Sequence, residues 1–216
     1  MADYTFYETA ASGEDGDVYR GPSAAYPPSG TITVEADYIT PAAGKTFFSG
    51  QYENTVALLR FDTSSLAGKT IASAVLYLHG YAAYNDDARN LLIDYYASTN
   101  WPLDTADYVD LVPGAGSAHV VAMSALGGVD KWQALSLTSP DANINKAGYT
   151  GFRMGLSGNQ PTGANVFSFQ GRTATFPPYL IVSTSGYQHK PLGCLPSAVA
   201  KIIGVATSSV AKFNGA

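Results

Sequence analysis

NTVALLRFDTSSLAGKTIASAVLYLHGYAAY, residues 54–84, is the stretch that decides the fold. Its side chains alternate in character in two runs, which are separated by the turn-forming residues DTSS and Gly68-Lys69. A period of two is typical of β-strands with one packed and one solvated face. One face carries Ala57, Leu59 and Phe61, then Ala72, Ala74, Leu76 and Leu78; the other carries Arg60, Ser73, Val75, Tyr77 and His79. We therefore predict the central strand pair of a β-sandwich.

The remaining sequence contains further short strands between turns and no convincing amphipathic helix, a pattern that favours an all-β sandwich or jelly roll. The predicted strands are Tyr4–Glu8, Asp17–Arg20, Thr31–Glu35, Leu91–Tyr96, His119–Met123, Trp132–Thr138, Gly151–Leu156, Val166–Phe169 and Tyr179–Thr184. We predict loops at Thr40–Gly50 and at 101–118, the latter with a single helical turn. The predicted domains are an N-terminal arm (1–16), a jelly-roll β-sandwich of about nine or ten strands (17–186) and an extended C-terminal tail (187–216).

Composition excludes several classes of protein. The single cysteine, Cys194, rules out an internal disulfide, and we expect it to be an inert small residue. The N-terminus has no basic start followed by an apolar run, so no signal peptide is predicted. No apolar stretch reaches the roughly 20 residues of a membrane span. We therefore predict no membrane partner, and the acidic balance without a basic stripe predicts no nucleic-acid partner.

Charge is distributed unevenly along the chain. Residues 1–141 hold all 17 acidic residues and six basic ones, whereas residues 142–216 hold six basic residues and no acid. A chain with an acidic N-terminal part and a basic C-terminal part could favour contact between copies. The alternative is that strands from both parts interleave in the sandwich, so that their charges mix in space. This alternative does not apply to the tail.

Several motifs resemble one known family. LLRFDTSSL and IASAVLYL are similar to the core signature of the DNRLRE family of jelly-roll modules. Further matching pieces follow in order over Asp17–Ser185: Asn100-Trp101, Gly151-Phe152-Arg153-Met154, FSFQGR and PPYLIVSTS. This resemblance implies a jelly roll similar to carbohydrate-binding modules, of a kind that recurs in secreted bacterial proteins and in phage virion proteins. Such modules serve many tasks, so it implies the fold more strongly than the function.

The tail contains an internal repeat. Residues 197–205 align with residues 208–216 at an offset of 11, with five of nine positions identical. Because Gly, Val, Ser and Thr are poor helix formers, we expect an extended segment that docks on a neighbouring subunit. The docking residues would be Lys201, Ile202, Val205, Val210, Lys212 and Phe213. The repeat resembles the short AKxNGVA-type repeats at the ends of some phage virion proteins, with Ile203 in place of Asn. The alternative is a disordered tail.

No catalytic or metal-binding motif stands out, so we predict neither catalytic residues nor a cofactor. The histidines, His79, His119 and His189, lack HExxH-type spacing, and no serine lies in a G-x-S-x-G elbow. We expect His79 to be an ordinary surface histidine. Two acidic groups are weaker candidates for Ca²⁺, namely Glu14, Asp15 and Asp17, and Asp104, Asp107 and Asp110. For the second group, a solvated acidic loop is the simpler interpretation.

Aromatic residues are concentrated between residues 77 and 108. Exposed rings stack on sugar faces, which makes Tyr77, Tyr81 and Trp101 candidate glycan contacts; the alternative is that such rings fill a sandwich core.

The leading prediction is a non-enzymatic structural protein of a tailed-phage virion, made in the host cytoplasm. It would be a capsid decoration or tail-fibre component that assembles with copies of itself and other virion proteins through the tail. The alternative is a carbohydrate-binding adhesion module whose partners are surface glycans.

Overall fold

The computed structural model describes residues 2–8, 13, 15–96, 101–110 and 116–185. Within these ranges the protein is all-β, with antiparallel strands joined in one hydrogen-bonded network. The strands are β1 (Ala2–Tyr7), β2 (Asp15–Ser23), β3 (Ile32–Ala36), β4 (Ala42–Phe48), β5 (Gln51–Asp62), β6 (Ile71–Asn85), β7 (Asn90–Tyr96), β8 (His119–Ala122), β9 (Trp132–Ser136), β10 (Tyr149–Leu156), β11 (Ala164–Phe169) and β12 (Tyr179–Thr184). One short α-helix, α1 (Pro140–Asn143), precedes β10.

β5 and β6 were predicted to form the central strand pair, but they do not pair with each other, because β11 and β4 lie between them in the strand order. Each is instead a hub of the network. β5 pairs with β2 on one edge and with β4 and then β10 on the other. β6 is 15 residues long, and its first half lies between β12 and β9 while its second half pairs with β11. The path through the network runs β1-β12-β6-β11-β4-β5-β10-β7-β8. Two long strands therefore connect all the others described here.

The predicted core face is confirmed at most positions. Ala57, Leu59 and Phe61 of β5 and Ala74, Leu76 and Leu78 of β6 are all buried in one large hydrophobic cluster. Phe152, Phe167 and Leu180 from other strands complete it. Burying each such large side chain contributes about 1.5–3 kcal/mol. Ala72 is exposed instead, because the β6–β12 pairing shifts at a bulge beside it and interrupts the alternation.

Two other expectations were wrong. The predicted loop at Thr40–Gly50 contains β4, which is paired on both edges with β5 and β11. The described residues contain 12 strands rather than nine or ten. The strand predicted within the arm 1–16 is present as β1, which pairs over its full length with β12, and residues 15 and 16 begin β2. The helical turn expected in 101–118 is confirmed at Thr105–Asp107.

Candidate functional site

The loop 101–110 builds a second, smaller core on the outer face of β2, β3 and β5. Leu103 is buried there against Val18, Val56 and Leu58. The loop is held in shape by a capping box, in which Asp104 accepts from Ala106 N and Asp107 accepts from Asp104 N. Asp107, which is buried, also accepts a hydrogen bond from the Tyr96 hydroxyl, and Asp110 accepts one from the Tyr108 hydroxyl. All three acids considered for Ca²⁺ therefore have structural hydrogen bonds, and Asp107 is not part of a solvated loop.

Arg60 lies between two aromatic rings at the edge of this loop. Its guanidinium carbon is 4.7 Å from the centre of the Trp101 ring and 4.3 Å from that of Tyr149. Such cation–π contacts contribute about 0.5–1 kcal/mol each at exposed sites. Residues from β5, from the loop and from β10 are thus brought together around one charge.

Gly151 provides the space for this arrangement. It is paired with Arg60 across β5 and β10. A Cβ atom at this position would lie 2.5 Å from the Tyr96 carbonyl oxygen and 3.3 Å from a Trp101 ring carbon. Only glycine therefore allows the backbone of β7 and the Trp101 ring to approach β10 this closely.

A cleft of about 410 Å³ opens beside Arg60. Its volume is within the range of small-ligand sites. Its lining combines one guanidinium with aromatic rings, carboxamides and backbone: Arg60, Tyr95, Tyr96, Trp101, Asn143, Asn145, Gly148, Tyr149, Thr150 and Gly151. No carboxylate occurs among these lining residues.

Hydrogen bonds hold the walls of the cleft in place. The Tyr95 hydroxyl donates to Thr138 O at 3.0 Å, and burial raises the pKa of Tyr95 to about 12. Asn143 donates to Ser139 O, while the Asn145 side chain accepts from Ala147 N. Because these side chains are already anchored, little ordering would be needed when a ligand binds.

The three aromatic residues predicted to contact glycan lie in different surroundings. Trp101 lines the cleft. Tyr77 stacks on Tyr179, with ring centres 4.5 Å apart and planes 8° from parallel, so one of its faces is already covered. Tyr81 is exposed and lines a separate hollow of about 320 Å³ with Ile39 and Gln170. Of the three, Trp101 is the one that lies in the cleft beside Arg60.

The expectation for His79 was wrong. It lies on the outer face of β6 as predicted, but it is only 5% exposed. The rings of Phe176 and Trp132 lie 4.5 and 5.1 Å away, and Gln170 contacts its Nδ1 atom.

Asp15 and Asp17, considered for Ca²⁺, are buried on β2 with different partners. Asp15 lies 3.3 Å from the Arg172 guanidinium and accepts from its backbone N–H. Asp17 accepts from Ala42 N. Burial raises the pKa of Asp17 to about 7, against the lowering effect of this hydrogen bond. Across the described residues no cluster of three or more His, Cys, Asp or Glu is arranged to hold a metal, and Glu14 lies outside them.

Sequence reasoning missed Arg60, Tyr149 and the two asparagines as site residues. The signal in the sequence was weak: Arg60 was recognised as an outward-facing cation, but Tyr149 is almost ninety positions away. The predicted docking residues Lys201, Ile202, Val205, Val210, Lys212 and Phe213 lie outside the described residues.

Comparison with known proteins adds no relative. No protein-family model matches the chain, and no curated protein matches it. Over the described residues, no helix is both long enough and apolar enough to cross a membrane.

Proposed function

We propose that the β domain binds a carbohydrate in the cleft beside Arg60 and does no chemistry on it. The observation that supports this most directly is the grouping of Trp101, Tyr149 and Arg60 around a cavity of sugar-sized volume. Aromatic rings offer apolar faces to the C–H groups of a sugar, and amide and guanidinium groups hydrogen-bond its oxygens. An arginine has five N–H donors, so Arg60 can keep its existing contacts while it binds a ligand.

The lining of the cleft also supports a binding role rather than an enzymatic one. Most glycoside hydrolases use two carboxyl groups placed on either side of the scissile bond. The residues that line this cleft include two asparagines and no acid. Carboxamides can orient a sugar through hydrogen bonds but cannot serve as general acid or base at neutral pH.

The two tryptophans provide a matched test. Trp101 lines the cleft, whereas Trp132 is 40% exposed on a different part of the sheet. Glycans that bind the wild type on an array should bind Trp101→Ala at least tenfold more weakly by titration calorimetry, while Trp132→Ala binds normally. In Trp132→Phe, the fluorescence of Trp101 should change when the glycan is added. A blank array for a folded wild type, or undiminished binding by Trp101→Ala, would refute the proposal.

We also propose that the chain is a structural protein of a tailed-phage virion that assembles through residues 187–216. The tail holds an internal repeat, three lysines and no acid, and this supports the role, as does the resemblance to DNRLRE-type modules. The network is compatible with the jelly roll implied by that resemblance, because strands distant in sequence are neighbours in it. On this proposal the β domain is displayed on the particle, and the tail binds copies of the protein or other virion proteins.

Removal of the tail tests the assembly role. The described β domain ends at Ser185, beyond the last strand, so a chain that stops at residue 186 retains every described strand. We expect it to fold and bind glycan like the full chain but to be lost from purified particles. If the shortened protein is incorporated at the normal level, the tail has no assembly role.

A further inference from the structure

The outer surface of β1, β12, β6 and β9 carries a continuous set of aromatic rings outside the proposed cleft. The ring centres of Tyr7 and Tyr179 are 6.0 Å apart, those of Tyr179 and Tyr77 4.5 Å, and those of Tyr179 and Trp132 4.9 Å. Phe176 extends the set beyond Trp132. Several of these rings reach solvent: Tyr7 is 61% exposed, Phe176 44% and Trp132 40%. We call this surface the aromatic face.

The register of the strands shows that two neighbouring rows of the aromatic face are uncharged. One row across the four strands consists of Tyr7, Tyr179, Tyr77 and Ala134. The next row consists of Thr5, Ile181, Val75 and Ser136. Neither row contains a charged side chain. The row beyond Thr5 begins with Asp3, which is exposed and accepts a hydrogen bond from the Ser183 hydroxyl. Exposed apolar patches of this kind on soluble proteins mark interaction sites.

The charge of the rest of the domain indicates which partner fits. Up to Ser185, the chain holds all 17 acids and nine of the 12 basic residues, so two copies of this part repel each other over most of their surface. The two uncharged rows of the aromatic face are a place where two copies can meet with Asp3 left at the edge of the contact. The rings of the aromatic face can pack against an identical row on a second copy, as a two-fold interface requires.

We propose that the aromatic face is the contact surface for a second copy of this chain. Four strands at about 4.8 Å spacing and about six residues at 3.4 Å per residue cover roughly 400 Å². A stable interface buries about 800 Å² per partner, so the contact is weak for two free molecules. It gains strength where copies are held close together, as on the surface of a particle. The inference adds a self-association surface to the proposed assembly role and does not depend on the tail.

Ala134→Arg tests the face without removing a ring. Ala134 is exposed and lies beside Tyr77 in the central row. A long charged side chain there blocks close approach of a second copy but leaves every ring contact intact. Ala122→Arg is the matched control, because Ala122 is an exposed alanine on β8, at the opposite end of the strand path from β1. Near-ultraviolet circular dichroism would show that both variants are folded.

Sedimentation equilibrium of the full chain, up to about 1 mM, gives the readout, since an interface of this size is weak. The average mass of the wild type and of Ala122→Arg should rise with concentration, while that of Ala134→Arg stays at the monomer value. Added salt should strengthen association, because it screens repulsion between acidic surfaces. Attraction between a basic tail and an acidic domain would weaken with salt instead. A wild type that stays monomeric, or an Ala134→Arg variant that associates normally, would overturn the proposal.

If association persists in a chain that stops at residue 186 but the shortened protein is lost from particles, the aromatic face and the tail act separately. If the shortened protein is incorporated normally and Ala134→Arg is monomeric, the tail proposal fails and the self-contact stands.

Discussion

The two tryptophans of this protein stand in aromatic clusters of opposite kinds. Trp101 is grouped with Arg60 and Tyr149 around a cavity, so the aromatic rings contact a guanidinium and border an open cleft. Trp132 packs edge-on against Tyr179, which in turn stacks on Tyr77, so these rings pack mainly against one another. The first arrangement suits a small polar ligand with apolar faces, and the second suits another flat apolar surface. Aromatic content alone does not distinguish these uses; ring orientation and the nearest charge do.

The largest effect that separates the two regions is expected from Gly151→Ala. The added methyl group would collide with the Tyr96 carbonyl oxygen at 2.5 Å, and a backbone atom cannot move aside as a flexible side chain can. We expect the free energy of unfolding to fall by about 2–3 kcal/mol and glycan binding to be lost. Self-association through the aromatic face should persist while the variant is folded. Urea denaturation and calorimetry measure the two effects.

Gly44→Ala is the control for this substitution. A Cβ atom there would lie 3.5 Å or more from its neighbours, which is ordinary contact distance. Stability should stay within about 0.5–1 kcal/mol of the wild type, and glycan binding should be unchanged. Equal losses in both variants would show that Gly151 is a generic strand glycine and that the close approach to Trp101 is unimportant.

A smaller effect is expected from Arg60→Met, which keeps an unbranched side chain but removes the charge. Loss of the two ring contacts should lower the free energy of unfolding by about 1–2 kcal/mol. Glycan affinity should fall at least tenfold, because the hydrogen-bond donors of Arg60 are lost from the cleft.

Arg153→Met is the matched control for Arg60→Met. The Arg153 guanidinium lies 4.4 Å from the centre of the Tyr96 ring, but Arg153 does not line the cleft. The Arg153→Met variant should lose stability, because it loses the same kind of cation–π contact, and should keep its affinity for glycan. If both arginine variants lose affinity to the same extent, the effect is one of general electrostatics rather than of the cleft.

How much of this could be read from the sequence depends on the range of the interactions involved. Alternation along β5 and β6 is local, so it correctly placed Leu59, Phe61, Leu76 and Leu78 in the core. β4 was missed because Pro41-Ala-Ala-Gly-Lys does not alternate between apolar and polar residues. Its strand conformation comes from pairing with β5, which follows it after a turn, and with β11, which is distant in sequence. Propensity is a weak guide where such pairing decides.

The candidate site shows the same difference between what local sequence reveals and what depends on distant strands. Trp101 was a candidate because its type and its place in an aromatic-rich region are visible in the sequence. Tyr77 was equally plausible, but only the ring geometry shows that Tyr179 covers one of its faces. The grouping of Arg60 with Tyr149 depends on the register of β5 with β10, where Tyr149 pairs with Asp62 and Gly151 with Arg60. Register between distant strands is not encoded in either strand alone.

The smallest expected effect is on how stability depends on pH in alkali. It involves one tyrosine in each region, Tyr95 at the cleft and Tyr179 beside Trp132. Burial raises the pKa of Tyr95 to about 12, and burial together with the neighbouring tyrosines raises the pKa of Tyr179. An unfolded chain loses a tyrosine proton near pH 10, whereas the folded protein keeps these protons to higher pH. The contribution of Tyr95 to stability is therefore complete below about pH 10 and is lost as the pH rises toward 12, with a slope of at most about 1.4 kcal/mol per pH unit. The contribution of Tyr179 is lost in the same direction as the pH rises.

Tyr95→Phe should show this dependence most clearly. At pH 9 it loses the hydrogen bond to Thr138 O and should be less stable than the wild type by about 1 kcal/mol. Between pH 10 and 12 the wild type loses stability that the variant cannot lose, so the two unfolding free energies should converge. Tyr179→Phe should change in the same direction, because the pKa of Tyr179 is also raised by burial and by the neighbouring tyrosines. Parallel curves for wild type and Tyr95→Phe across this range would mean that the Tyr95 hydroxyl is well solvated. The cleft wall would then be more open than the hydrogen bond to Thr138 implies.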